Sequence, residues 1–218
     1  MSPLEFHFDF LSPYAYLAWT QIGRIATDHG RPLRLVPVLF PALLDAFGTL
    51  GPAEVPAKRQ YIYLDVHRKA ALWGVPLRMP PSHPFVPLLP LRAATSFAVP
   101  DERARAVDAL FRATWATGRG VDRPERVAEA LDEAGLDGRA AVERAGAPEV
   151  KGELFQATSR AIARGIFGVP TVAVGPDLFW GADALPTLEA FLRGADPVTP
   201  DLRALARELP IGAVRRRP

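Results

Sequence analysis

The chain of 218 residues is long enough for one large domain or for a domain with a sizeable insertion, and its 49% hydrophobic and 23% charged residues are typical of a globular protein. Its 26 basic and 24 acidic residues leave a formal charge of only +2, which gives no sign of nucleic-acid binding. The absence of cysteine excludes disulfides, a cysteine nucleophile and cysteine-ligated metals, so thiol chemistry would need a sulfur supplied by a ligand.

The first 30 residues predict a strand followed directly by a helix. From Leu4 to Phe10 apolar residues alternate with polar ones, and from Pro13 to about His29 they recur at helical spacing. Ser12 is a preferred N-cap residue, and a proline suits the first helical position. The Ser12 hydroxyl is therefore expected at the positive end of a helix, where an anion such as a thiolate is favoured. The capping pattern alone favours the simpler interpretation that this serine only caps the helix.

A second strand and a long helical block follow. Arg34 to Phe40 predicts a strand, with Pro37 indicating an edge position, so strand, helix and strand form a βαβ unit with parallel pairing. The proline-dense segment from Gly74 to Pro87 is expected to be irregular. The predicted helices are Pro41 to Gly48, Pro56 to Trp73, Leu88 to Ala98, Asp101 to Thr117, Pro124 to Ala134 and Gly138 to Ala145.

Strand signals return after one more helix, which is predicted from Pro148 to Arg164. Thr171 to Val174 and Leu178 to Trp180 flank a turn and predict an antiparallel hairpin, followed by a helix from Ala184 to Arg193. The basic end, Arg215 to Arg217, is expected to be solvated. The predicted order is therefore βαβ, a helical block, and αββα.

The proline that enters the hairpin is a candidate for a cis peptide bond. Pro170 stands directly before the predicted strand, so the Val169–Pro170 bond is the one concerned. Backbone groups left unpaired beside such a bond can form a short ladder with an extended peptide ligand. Taken alone this signal is weak, because most bonds that precede proline are trans.

Three motifs, in this order and at this spacing, carry a family resemblance: FDFLSPYAYLA, GIFGVPT and LFWGADAL. Together they resemble the 2-hydroxychromene-2-carboxylate isomerase family, a relative of the kappa-class glutathione transferases. The resemblance implies an α/β, thioredoxin-like fold with a large all-helical insertion, of the DsbA and kappa glutathione transferase type. The division it implies is residues 1–40 and 148–195 for the thioredoxin-like domain, 41–147 for the helical insertion and 196–218 for a C-terminal tail.

The resemblance also implies that Ser12, Val169 with Pro170, Ala182 and Asp183 bind the cofactor. Ser12 matches the catalytic serine, whose hydroxyl donates to the sulfur of bound glutathione; it stands where redox members carry C-x-x-C, so dithiol exchange is excluded. Val169, before Pro170, matches the residue whose backbone pairs with the cysteinyl part of glutathione. Ala182 and Asp183 match the pair that holds the γ-glutamyl end, with Asp183 as the partner of its ammonium group.

Other positions around the expected site depart from the family pattern or leave alternatives open. Thr49 stands near where relatives carry an asparagine that contacts glutathione; it still offers a hydroxyl, but the identity of the thiol stays open. Near Val86 the family often has an asparagine, and its absence indicates an altered pocket. Lys58, Tyr61 and Arg92 are candidates to contact a substrate carboxylate, and roles on the helix surface are equally compatible with them.

Two other kinds of site are not favoured. Ser12 lacks the Gly-x-Ser-x-Gly elbow of a hydrolase nucleophile. Glu5, His7 and Asp9 share one face of the first strand, but partnered polar residues are the simpler interpretation than metal ligands, and no metal is expected.

The function implied by the resemblance is a glutathione-dependent isomerase in which Ser12 stabilises the thiolate of glutathione, a cofactor regenerated in each turnover. The substrate would be a small aromatic carboxylate, the enzyme a homodimer, and neither nucleic acid nor membrane a partner. The sequence has no apolar run of membrane-spanning length, and a cytoplasmic location is expected. The alternatives are a kappa-like glutathione transferase and a non-catalytic thioredoxin-fold protein that binds a thiol or peptide.

Overall fold

The structure is a computed structural model that describes residues 2–213, so the predicted solvated end at Arg215 to Arg217 lies outside the described residues. Within this range the strands are β1 Leu4–Phe8, β2 Leu33–Pro37, β3 Thr171–Val174 and β4 Asp177–Trp180. The helices are α1 Pro13–Asp28, α2 Phe40–Ala46, α3 Pro56–Leu72, α4 Leu88–Thr95, α5 Pro100–Phe111, α6 Pro124–Glu133, α7 Gly138–Arg144, α8 Pro148–Ala163, α9 Leu185–Leu192 and α10 Pro200–Glu208.

The four strands form one mixed sheet in the order β2-β1-β3-β4. β1 pairs with β2 in parallel, where Phe6 stands opposite Leu35, and with β3 in the antiparallel sense, where Phe6 stands opposite Val172. β3 and β4 form the antiparallel hairpin. The parallel βαβ unit, the edge position of β2 and the hairpin are therefore confirmed, and the chain has a thioredoxin-like fold with helices added to it.

The predicted second strand was too long at its end. β2 stops at Pro37, and Phe40 begins α2 with Pro41 in its first turn. The N–H of Phe40 donates to Oδ2 of Asp9 at 2.9 Å, so this group is taken by a side chain and not by a strand ladder. The apolar run that suggested a strand here belongs to the start of a helix.

Two helical segments also differ from their predictions. The predicted helix up to Thr117 is α-helical only to Phe111 and continues as a π-helical turn, Arg112–Ala116. The segment after Arg193 was predicted only as a tail, yet it contains α10, capped by the Thr199 hydroxyl. No helix in residues 2–213 combines the length and the apolar character needed to cross a membrane. The division of the chain at residues 41 and 147 stays a prediction.

Aromatic rings join β1 to the helical block. Phe8 and Phe10 pack against Phe111 with ring centroids 5.5 and 4.8 Å apart, and all three side chains are fully buried. Trp115, in the π-helical turn, donates its Nε1–H to the carbonyl of Phe10 at 2.8 Å. The helical block therefore packs directly onto the segment that leads into Ser12.

The buried indole bond of Trp115 provides a test of this junction. In Trp115→Phe the Phe10 carbonyl loses its donor and the smaller ring leaves a cavity, so we expect the free energy of unfolding to fall by about 2–4 kcal/mol in urea titrations. Trp19→Phe is the matched control, because Nε1 of Trp19 donates to Asp108 at an exposed position, at 3.0 Å. Its loss should be about 1 kcal/mol. Equal losses in the two variants would contradict a special role for the Trp115 bond.

Candidate functional site

Ser12 caps α1 and also reaches the loop before β3. Its backbone is extended, with φ −92° and ψ 115°, and its Oγ accepts a hydrogen bond from the N–H of Ala15 at 3.1 Å. The same hydroxyl donates to the carbonyl of Val169 over 3.4 Å, a long and weak bond. The predicted cap is confirmed. Because the second bond is weak, the hydroxyl can exchange it for a bond to a ligand at little cost in free energy.

The Val169–Pro170 bond is cis, as predicted. The Pro170 carbonyl accepts a hydrogen bond from the N–H of Gly181 at 2.9 Å, which ties this loop to the end of β4. Gly168 lies against the indole of Trp180, where an added Cβ would stand only 2.6 Å from Nε1. A glycine at this position therefore permits the close approach of β4 to the loop that contacts Ser12.

Ala182 and Asp183 follow β4 in a single 3-10 turn that leads into α9. Ala182 is buried, whereas Asp183 is exposed. Gly181 has φ +95°, and an added Cβ there would stand 2.5 Å from Oδ1 of Asp183. This glycine thus allows the Asp183 carboxylate to lie close to the backbone at residue 181.

The charge of Asp183 affects the pKa of Tyr14, which lies in the first turn of α1. Its hydroxyl donates to Oδ2 of Asp65 at 2.7 Å, and Asp65 also pairs with Lys69. Burial raises the pKa of Tyr14, and the negative charges of Asp65 and Asp183 raise it further, so the phenol stays protonated at neutral pH.

Thr49 lies in an exposed loop after α2. Its N–H donates to the carbonyl of Leu44 at 2.9 Å. The ring of Phe47 meets that of Phe167 edge-on at 6.4 Å, which brings this loop next to the segment that contains Val169. The contact is made by Phe47, two residues before Thr49, and the role of Thr49 toward a ligand stays a prediction.

Two side chains that hold the loop before Ser12 carry no signal in the sequence pattern. Trp115 donates to the Phe10 carbonyl, and Nε2 of His83 lies 2.9 Å from the carbonyl oxygen of Leu11. His83 belongs to the proline-dense segment that was predicted only as irregular, where no periodicity indicates which side chains turn inward. The rings of His83 and Trp115 also contact each other, at 5.3 Å.

Asp9 is fully buried and ties the same loop to the start of α2. Its Oδ1 accepts the N–H of Leu11 and its Oδ2 that of Phe40, both at 2.9 Å. Burial raises the pKa of Asp9 to about 7 in spite of these two bonds. Burial also lowers the pKa of His7, on β1, to about 4. The first strand and the residue after it therefore carry two ionisable groups that are largely uncharged in slightly acidic solution.

The polar residues of the first strand have separate partners. Glu5 forms ion pairs with Arg34, at 3.2 Å, and with Arg164. Burial alone would raise the pKa of Glu5, but these cations hold it below its usual value. Nδ1 of His7 lies 3.1 Å from the Glu5 carbonyl, and Asp9 binds backbone N–H groups. In the described part of the chain no three histidine, aspartate or glutamate side chains are grouped to hold a metal ion.

The three candidates for a substrate carboxylate differ in their surroundings. Lys58 and Tyr61 are exposed on α3. Arg92 is half-buried on α4, and its buried Nε makes no hydrogen bond within residues 2–213. A buried donor without a partner is unusual in folded proteins and distinguishes Arg92 from the other two.

Comparisons with known proteins agree on one family. The family model for the DSBA-like thioredoxin domain matches residues 3–193. The 2-hydroxychromene-2-carboxylate isomerase of Sphingobium xenophagum is 32% identical over 192 residues, which cover 87% of this chain and 97% of that protein. Glutathione S-transferase kappa 1 of Rattus norvegicus is 27% identical over 218 residues, covering 92% and 96%. A solved 2-hydroxychromene-2-carboxylate isomerase superposes with a TM-score of 0.78 at 28% identity, over 90% of this chain and 99% of that one.

Asp9 and His7 should affect stability in opposite directions between about pH 4 and 6.5. Folded Asp9 stays protonated up to about pH 7 whereas unfolded aspartate ionises near 3.8, so its contribution to the free energy of unfolding falls as pH rises. Folded His7 stays neutral down to about pH 4 whereas unfolded histidine gains its proton near 6.5, so its contribution rises with pH.

Urea titrations of single variants separate these two effects. Relative to wild type, the free energy of unfolding of Asp9→Asn should rise with pH over this range, by up to about 1.4 kcal/mol per pH unit, and that of His7→Gln should fall. Each variant serves as the control for the other, because both remove one buried ionisable group from the same segment of the chain. The same pH trend in both variants would contradict the assignment.

Proposed function

Because the chain belongs to the 2-hydroxychromene-2-carboxylate isomerase family, within the DSBA-like thioredoxin domain family, we propose that it is a glutathione-dependent isomerase of this type. Its relatives are isomerases and kappa-class glutathione transferases, so the chain is an enzyme with an activity of this general kind. The observation that carries the glutathione dependence is the Ser12 hydroxyl, which caps α1 and lies 3.4 Å from the Val169 carbonyl.

The residues present fit glutathione along its length. The backbone of Val169, beside the cis-proline, is suited to pair with a cysteinyl residue, and the Ser12 hydroxyl lies next to it. The exposed carboxylate of Asp183 suits the γ-glutamyl ammonium group, beside Ala182. Thr49 offers a hydroxyl in place of the asparagine that relatives carry, in a loop adjacent to the same segment.

When bound, glutathione would supply a nucleophilic thiolate for reversible addition to an aromatic substrate. A cysteine-like thiol has a pKa of about 8.5, so only a few per cent is ionised at neutral pH. A hydrogen bond from Ser12 to the charged sulfur is worth about 1.5–3 kcal/mol, which lowers the thiol pKa by about one to two pH units. The start of α1 lowers it by up to about one more. Ser12 and the helix together would keep the thiol substantially ionised at pH 7.

Arg92 is the proposed contact for the carboxylate of the substrate. It is half-buried, unlike the other two candidates, and its guanidinium group would bind a carboxylate with charge-assisted hydrogen bonds. α4, which carries Arg92, begins five residues after His83, whose ring contacts the loop before Ser12. Lys58 and Tyr61 are the alternatives, and their exposure on α3 supports them less well.

A kappa-type glutathione transferase is the second candidate, and the relationship to the rat enzyme favours it. The same serine would then stabilise a thiolate that stays attached to the product. A non-catalytic thiol-binding protein is not favoured, because the relatives are enzymes. We also propose a homodimer, on the basis of the family resemblance. We propose a cytoplasmic location because the cytosol holds the glutathione that this chemistry would use.

Ser12→Ala tests the proposed role of the hydroxyl. At a pH below the thiol pKa of the wild type, we expect glutathione-dependent turnover of 2-hydroxychromene-2-carboxylate to fall about 10- to 100-fold, because the ionised fraction of the thiol then falls by the full value of the lost hydrogen bond, about 1.5–3 kcal/mol. The pKa of the bound thiol, followed by the ultraviolet absorbance of the thiolate against pH, should rise by about one to two pH units.

Thr199→Ala is the control for the loss of a helix cap. The Thr199 hydroxyl caps α10 by accepting the N–H of Leu202 at 3.2 Å, so this variant also loses a capping bond but should keep full turnover. Undiminished turnover in Ser12→Ala would contradict the proposal. So would the absence of glutathione binding to the wild type at millimolar concentration.

Asp183→Asn tests the proposed γ-glutamyl contact. Glutathione should bind about tenfold more weakly, a loss of about 1.4 kcal/mol for one charged contact, while the pKa of the bound thiol stays as in wild type. Calorimetric titration gives both affinities. Cysteinylglycine, which lacks the γ-glutamyl group, is the matched ligand and should bind equally to both proteins. An equal loss of affinity for glutathione and for cysteinylglycine would contradict a contact between Asp183 and the γ-glutamyl group.

A further inference from the structure

His83 lies at the centre of a hydrogen-bond network between α3 and the loop before Ser12. Its Nε2 lies 2.9 Å from the Leu11 carbonyl oxygen, and the Tyr63 hydroxyl lies 3.2 Å from both its Nδ1 and its carbonyl oxygen. Arg59 donates to the Tyr63 hydroxyl at 2.9 Å and to the His83 carbonyl at 2.8 Å. The ring is therefore held on both of its nitrogens.

These contacts indicate which nitrogen of the His83 ring carries a proton. A carbonyl oxygen can only accept, so Nε2 of His83 carries a proton and donates to Leu11. Tyr63 accepts from Arg59, and its one proton lies within reach of both Nδ1 and the carbonyl oxygen of His83. Burial lowers the pKa of His83, and the nearby Arg59 cation lowers it further, in favour of the neutral ring. The Nε2–H of His83 therefore donates to the Leu11 carbonyl of the loop before Ser12.

The peptide group that His83 holds is the one that joins Leu11 to Ser12. At its other end, the N–H of Ser12 donates to the Asp9 carbonyl at 3.1 Å. A rotation of this peptide would move the Cα of Ser12 and its hydroxyl with it. Hydrogen bonds weaken steeply as their angle departs from linearity, so a small displacement would remove much of the stabilisation of a bound thiolate.

We propose that His83 is a positioning residue for the chemistry of Ser12: by donating to the Leu11 carbonyl, it holds the peptide that sets the direction of the Ser12 hydroxyl. This inference rests on the proposed function. His83 touches neither the sulfur nor the substrate in this role, and it acts only through Leu11. Tyr63 and Arg59 contribute by fixing the orientation of the ring.

A matched pair of amides tests the proposal. In His83→Gln the side-chain amide nitrogen has about the reach of Nε2 and keeps the donor to Leu11, whereas in His83→Asn it falls near Nδ1 and the donor is lost. The pKa of the bound glutathione thiol should stay near the wild-type value in His83→Gln and rise by about one pH unit in His83→Asn. At a pH below the thiol pKa of the wild type, where the ionised fraction changes tenfold for each unit of pKa, kcat should fall about tenfold in His83→Asn with the KM for glutathione unchanged.

A merely structural role would give another result. Loss of stability without a rise in thiol pKa in His83→Asn, or equal effects of the two amides, would overturn the proposal. His83→Leu, which lacks any donor, should behave as His83→Asn does; if it does not fold, the amide pair still decides. A rise in thiol pKa in Ser12→Ala but not in His83→Asn would overturn this inference and leave the proposed function intact. A wild type without glutathione binding would overturn both.

Discussion

The loop between β1 and α1 is held by buried hydrogen bonds from both parts of the molecule. From within the loop, Asp9 accepts the N–H groups of Leu11 and Ser12 with its carboxylate and its carbonyl. From the helical block, Trp115 and His83 donate to two successive carbonyls. An unpaired buried carbonyl costs about 1–3 kcal/mol, so any other conformation of the loop would have to replace several such bonds together. The position of Ser12 at the end of this loop is therefore set by the hydrogen bonds of the loop and not by the Ser12 side chain.

The helical block therefore covers the sheet and also holds the loop between β1 and α1. The π-helical turn after α5 widens the helix at Trp115, and such turns are common at functional sites. Phe111, one turn earlier, packs on the aromatic side chains of the first strand. In redox members of the fold the residue at the position of Ser12 exchanges electrons through a thiol. A serine hydroxyl does not ionise at neutral pH, so this position excludes dithiol exchange, and the sulfur of any thiol chemistry here would have to come from a ligand.

The local parts of this site follow from the sequence, and the long-range parts do not. Strand periodicity, the Ser-Pro start of α1 and the proline before β3 are patterns of neighbouring residues, so β1, α1, the hairpin and the cis-proline could all be predicted. His83 and Trp115 are 72 and 105 residues away in the sequence from the residues whose carbonyls they bind. No local sequence pattern predicts contacts over such separations. The end of β2 was misread because the N–H of Phe40 is captured by Asp9, a contact between segments far apart in the chain. α10 was missed although a Thr-Pro start, like that of α1, precedes it.

Helix capping and a role toward a ligand are compatible functions of Ser12. The bond from the N–H of Ala15 occupies a lone pair of Oγ and leaves the hydroxyl proton free to be donated, and accepting one hydrogen bond polarises a hydroxyl toward donating another. Capping explains the Ala15 contact, but it does not require the Val169 carbonyl on the other side. That carbonyl comes from the loop whose backbone is suited to pair with an extended peptide. The proton of Ser12 is thus directed at the loop before β3, a contact that a cap alone would not need and that the proposed function would use.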